Sequence, residues 1–174
     1  MQNKIKVAFI FHKDNYFLLG NHFDNTYYNF FIKALKRNDR ISVKNYKTDS
    51  IFDCSKINDE ADVILLWENS FFGMPSELKN IQNLEIPVIS RTGDPSRAKE
   101  SIKLHKKWKI DYYFDFFSES FFHRIYPKEF KYKKIFYGLE KTLFENLKPF
   151  DQRIKEKILN SGNIGNDKFF SKII

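Results

Sequence analysis

The chain has 174 residues, a formal net charge of +8, and 42% hydrophobic and 18% aromatic residues, 20 of them Phe. That is enough for one ordinary domain with an aromatic-heavy core, and it excludes an intrinsically disordered chain. The positive charge suits a nucleic acid or an anionic surface, but the lysines are scattered apart from short runs at 103–109 and 128–134, so no nucleic-acid partner is expected.

The first apolar run, 5–11 (IKVAFIF), mixes β-branched and aromatic residues without alternation and predicts a strand buried on both faces. It follows the amino terminus directly, with no signal-peptide cleavage pattern, and no apolar run is long enough to span a bilayer. A cytoplasmic location without a transmembrane segment is therefore expected. A polar loop, 12–25, leads to 26–36 (TYYNFFIKALK), where apolar residues recur at helical spacing behind an N-cap at 24–26. The alternating stretch 41–47 (ISVKNYK) predicts an outer strand. The single cysteine, Cys54, excludes an internal disulfide, fits a reducing compartment and reads as a small apolar core residue.

The run 61–67 (ADVILLW) predicts a second buried strand, and 75–83 (PSELKNIQN) a helix opening on proline. A strand is predicted at 86–91 (IPVISR), a lysine-rich helix at 95–109 and an aromatic strand at 111–117 (DYYFDFF). A short helix at 118–125 is announced by Ser118 and Glu119, and a last strand covers 133–137. The stretch 139–153 reads as a linker, and 157–174 as a strand, a glycine turn and the start of a helix.

Buried strands alternating with helices predict an α/β fold: a doubly wound, mostly parallel, Rossmann-like sheet in three α/β/α layers. The outer character of 41–47 places the second strand on one side of the first, and 61–67 on the other. Ligands of such sheets bind beyond the carboxyl ends of the strands at that switch point. The loops there hold His12, Asp14, Gly20, Asn21, His22 and Asp24, then Glu68 and Asn69 after Trp67, then Arg91 to Asp94, then Ser118 and Glu119. Histidine beside a carboxylate suits proton transfer near neutral pH, and Gly20 lets a ligand approach the backbone. Arg91 can grip an anion or pair with Asp94. The GxGxxG and GxxxxGK[ST] patterns are missing, which argues against dinucleotide binding and a P-loop. The third strand ends in Trp67-Glu68-Asn69 where a receiver domain needs its phosphoacceptor aspartate. His105 and His123 fall in predicted helices without metal-ligand spacing, and no metal site is expected.

The order IKVAFIF with its glycine loop, ADVILLWEN, IPVISRTGDPSRA, DYYFDFF and KKIFYGLEKTLF resembles the N-terminal domain of GT-B glycosyltransferases of the "glycosyl transferases group 1" type. Gly138, Glu140 and Phe144 match the family's G-x-E…F stretch. The resemblance implies an acceptor-side Rossmann-like domain over 1–150, with 151–174 forming the linker and first strand, turn and helix start of a second such domain. It implies a nucleotide-sugar donor and a sugar acceptor, no metal and no other cofactor, with the rest of the second domain absent or supplied by a partner subunit. On that reading His12, Gly20, Asn21, Asp24, Glu68, Asn69, Arg91 and Asp94 line the acceptor side, and His22, for its place in the first βα loop, is the base if the enzyme inverts configuration. Gly162 and Asn163 in KILNSGNIG then face the donor. The alternative is a non-catalytic doubly wound module that binds a ligand or a partner.

Overall fold

Six strands lie side by side in a single parallel sheet, each paired with its neighbour in the order β2-β1-β4-β6-β7-β8. The structure is a computed structural model, and it describes residues 3–14, 27–57, 59–67, 74–136 and 149–152. The sheet strands are β1 (Ile5–His12), β2 (Ile41–Thr48), β4 (Val63–Leu66), β6 (Val88–Arg91), β7 (Tyr112–Asp115) and β8 (Tyr132–Lys134). The helices are α1 (Tyr27–Arg37), α2 (Ala98–Lys107) and α3 (Glu119–Ile125). Two further strands, β3 (Ile51–Asp53) and β5 (Glu77–Lys79), form a small parallel pair of their own.

The chain falls into two compact units, Met1–Glu140 and Lys141–Ile174. All eight strands among the described residues belong to the first. In the second, the described residues form a short 3-10 turn at Phe150–Gln152. The linker and second-domain start expected over 151–174 otherwise lie outside the described residues.

β1 is buried on both faces because strands flank it on both sides and apolar layers cover it above and below. Its residues alternate between two cores. Ala8 and Ile10 join Ile64, Leu66, Val88, Trp108, Tyr113 and Phe122 on one face. Val7, Phe9 and Phe11 join Ile32, Leu65, Trp67 and Phe114 on the other. α1 covers the second face. Its Ile32 is 1% exposed, and its Phe31 ring lies 5.0 Å from Trp67 and 5.4 Å from Phe114. Burying each such side chain is worth roughly 1.5–3 kcal/mol, which fixes α1 although it carries no acid in its first turn. α2 and α3 pack on the first face through Ala98, Ile102, Leu104, Phe122 and Ile125. The three layers and the reversal of strand order between β1 and β4 match the expected doubly wound sheet.

The helix expected at 75–83 is absent. Its place is taken by β5 and a 3-10 turn at Ile81–Asn83. Asn80 sits between them at φ 60°, a left-handed geometry that ends any right-handed helix. The Asp53 carboxylate holds it there, with Oδ1 accepting from Asn80 Nδ2 at 2.9 Å and from Ser55 N at 3.0 Å. Leu78 and Ile81, the residues that suggested a helical stripe, are both buried from this different geometry. The last strand is shorter than expected. It ends at Lys134, and Phe136 is 88% exposed.

Candidate functional site at the carboxyl edge of the sheet

Because all six strands are parallel, the segments after β1, β4, β6 and β7 emerge at one edge. In doubly wound sheets such a reversal of strand order is where a ligand crevice forms, since the connections on its two sides leave toward opposite faces. β1 delivers His12 to this edge. Its side chain is 21% exposed, and its Nδ1 accepts a hydrogen bond from Asp14 N at 3.1 Å, with Asp14 Oδ2 3.8 Å away. A neutral ring that accepts at Nδ1 carries its proton on Nε2. Lys13 N donates to Thr48 O at 2.7 Å and Thr48 Oγ1 donates to Phe11 O at 3.1 Å, so β2 pins the exit of β1. The Lys13 ammonium pairs with Asp49 at 2.6 Å. That hydrogen-bonded pairing raises the lysine pKa and lowers the aspartate's, but both groups are exposed and the contact adds little stability.

β6 and β7 deliver a buried polar cluster in which Arg91, a sequence candidate, meets Asp115, which was not one. Arg91 ends β6 at 6% exposure. Its guanidinium carbon lies 5.4 Å from the Trp67 ring and 5.2 Å from the Phe116 ring, and its Nε is 3.4 Å from Asp115 Oδ2. Asp115, at the end of β7, is fully buried. It also accepts from Thr92 Oγ1 at 2.6 Å and from Phe116 N at 2.8 Å. Tyr126 on the loop after α3 donates to Thr92 O at 3.3 Å. A buried carboxylate survives only with such partners, and a buried guanidinium only with a counter-charge. The cluster therefore ties the ends of β4, β6 and β7 into one rigid wall.

Arg91 pairs with Asp115 on the adjacent strand, and Asp94 is engaged in its own turn. Asp94 Oδ1 accepts from Ser96 N at 2.9 Å and caps the 3-10 turn Pro95–Arg97. That backbone hydrogen bond lowers its pKa. Gly93 stands between them at φ 72°, a geometry that costs glycine nothing and lets the chain turn over the end of β6.

The structure thus brings His12, Arg91 and Asp94 to the expected edge. Gly20, Asn21, His22, Asp24, Glu68, Asn69, Gly162 and Asn163 lie outside the described residues. The two histidines assigned to helices sit on α2 and α3, where His105 Nδ1 meets Tyr113 Oη at 3.1 Å and His123 Nε2 lies 4.0 Å from Glu119. Among the described residues no three His, Cys, Asp or Glu side chains gather as a metal site, and no helix is long and apolar enough to cross a membrane. A cavity of about 500 Å³ lies near the amino ends of β1 and β2, between Lys4, Lys6, Ser42, Lys44, Glu60 and Asp62. Those lining residues are exposed, and Glu60 accepts from both Lys44 and Tyr46, as expected for a solvated surface network. Comparison of the chain with protein-family models, with curated proteins and with solved structures returns no match.

Proposed function

We propose that the chain is the acceptor-side half of a glycosyltransferase, which moves a sugar from a nucleotide-sugar donor onto an acceptor held at the carboxyl edge of the sheet. The observation that carries this reading is the strand order, with its reversal between β1 and β4 above a parallel sheet. That order brings His12, Arg91 and Asp94 to one edge of the sheet. Within the reading, His22 is the base that takes the acceptor hydroxyl's proton, and the first loop and Glu68 and Asn69 hold the acceptor. Gly162 and Asn163 approach the donor. Arg91 acts through the wall it forms with Asp115, Trp67 and Phe116.

The test is turnover by the full-length gene product. A panel of UDP-, GDP-, ADP- and dTDP-sugars is offered with mixed glycan acceptors, and nucleoside diphosphate release is followed. Acceptor-dependent release from at least one donor is expected. A His22→Ala variant should lose on the order of 10²-fold or more in rate, the usual share of a general base. Failure of every donor to turn over refutes the transferase. Full activity of the His22→Ala protein refutes only the assigned base.

A further inference from the structure

The positive charge of the chain is concentrated in one stretch. Residues 1–96 carry 12 Lys and Arg against 12 Asp and Glu, whereas residues 97–136 carry 11 against 5. The second stretch forms α2, β7, α3 and β8, the last two strands of the described sheet and the helices that follow β6 and β7. The two lysine runs, apart in sequence, meet there, since His105 on α2 stacks on Phe130 at 3.8 Å. Tyr132 of β8 stacks on Phe122 of α3 at 4.1 Å, so that helix and the outer strand form one continuous surface. Arg124 on α3 and Lys131, Lys133 and Lys134 along β8 are all exposed. Among the described residues none of these four makes an ion pair, whereas Lys13 and Lys44 pair with Asp49 and Glu60. Exposed rings stand among them: Phe136 at 88%, Tyr112 at 45% and Phe121 at 39%. Lys131 Nζ lies 5.0 Å from the centre of the Tyr112 ring, and Lys134 Nζ 5.7 Å from that of Phe136.

We infer that the β8 edge and the adjoining face of α3 dock on an anionic lipid surface. The inference goes beyond the transferase reading and does not rest on it. Stable attachment without a spanning helix takes two signals: apolar groups that enter the acyl boundary and cations that meet the lipid phosphates. Both stand on one strand here. Phe136 lies in neither core, and Lys133 and Lys134 precede it closely in the chain. The charge of the patch argues against a neutral partner. Residues 119–136 hold five Lys and Arg against Glu119 and Glu129, and Glu119 lies 4.0 Å from His123 Nε2. A single strand of nucleic acid is the other polyanion that such charge suits. It binds along a groove and stacks its bases on free ring faces. β8 is the outer strand and presents an edge, and a lysine already stands over two of the three rings. A lipid surface needs neither a groove nor a free ring face. Each cation held near it strengthens binding about fivefold.

The experiment is co-sedimentation of the chain with phosphatidylcholine vesicles and with vesicles of about 3:1 phosphatidylcholine to phosphatidylserine, at about 0.1 M salt. Binding to the mixed vesicles alone is expected. The double variant Lys133→Gln, Lys134→Gln should weaken it about 25-fold, and Phe136→Ser about tenfold. All three side chains are exposed and lie outside both cores, so the fold survives these changes. The double variant Lys47→Gln, Lys79→Gln removes the same charge from exposed positions in the balanced part of the chain, and should weaken binding less than about threefold. An equal loss for the two double variants overturns the patch, because net charge alone then drives the binding. Unchanged binding of Phe136→Ser, or no binding of the wild type to the mixed vesicles, overturns it as well. Oligouridine that binds more tightly than the vesicles at the same salt, and loses affinity in the Lys133, Lys134 variant, assigns the patch to nucleic acid and overturns the lipid surface.

Discussion

Replacing Asp115 by Ala is the sharpest test of the wall at the carboxyl edge. The carboxylate is fully buried and serves three partners: Arg91 Nε at 3.4 Å, Thr92 Oγ1 at 2.6 Å and Phe116 N at 2.8 Å. Removing one member of a buried ion pair costs about 3–5 kcal/mol, because the remaining charge keeps its desolvation penalty. The two hydrogen-bond donors left behind push the value toward the upper half of that range, and the Trp67 and Phe116 rings beside Arg91 draw it back. We expect about 4 kcal/mol. With a urea slope of about 2 kcal/mol/M for a domain of this size, the midpoint falls by about 2 M. Asp115→Asn keeps the shape and one acceptor oxygen, and should cost about 1–3 kcal/mol. Urea melts of both variants, of Arg91→Met and of the double Arg91→Met, Asp115→Ala protein give the coupling, expected at about 1–3 kcal/mol. A loss below about 1 kcal/mol for Asp115→Ala, or additive single mutants, refutes the view that this pair holds the strand ends together.

Two further outcomes follow from burial. Cys54 is fully buried and its thiol pKa is pushed up to about 12 by burial, so native labelling with Ellman's reagent at pH 8 should run at least about 10²-fold slower than in urea; equal rates would contradict its place in the core. His105 stacks on Phe130 at 3.8 Å and meets Tyr113 Oη, with Glu129, Asp111 and Lys106 as its charged neighbours. Burial lowers its pKa from the ordinary 6.5, more than the two acids raise it. The unfolded chain therefore binds the proton more readily, and the stability present above about pH 6.5 is lost as pH falls through the folded pKa. Thermal melts from pH 7.5 to 5 should slope less for His105→Phe than for the wild type, and parallel curves would remove His105 as the cause.

The sheet was legible because its signals are local. IKVAFIF and ADVILLW are apolar on both faces, which only a central parallel strand requires, while ISVKNYK alternates as an edge strand does. Ser118 marks its own helix start through one side-chain hydrogen bond. The small β3–β5 pair was not legible, because it joins residues about as far apart as Asp53 and Lys79 and each strand is three residues long. In 75–83 the spacing of Leu78 and Ile81 fits a helix as well as it fits a strand followed by a turn. What decides is the bond from Asn80 to Asp53, a contact that no window of sequence contains.

Asp115 was missed for a different reason, and there the sequence did hold a signal. The aromatic residues of DYYFDFF mark the strand, and the sequence reading assigns Asp115 no role. An acid flanked by Tyr113, Phe114, Phe116 and Phe117 has apolar neighbours in both directions along the chain. It must either turn to solvent or bury with a partner. The adjacent strand, β6, ends in Arg91, whose register partner is Phe114, one residue short of the acid. A cation at the end of one parallel strand and an acid at the end of the next are placed to meet wherever the two strands pair in register. Arg91 therefore meets the acid of the neighbouring strand, while Asp94, its nearer neighbour in sequence, is spent on capping its own turn. The chemistry of this edge follows from strand adjacency more than from sequence adjacency, and the same rule brings His12, Arg91 and Asp115 to one edge of the sheet from three separate strands.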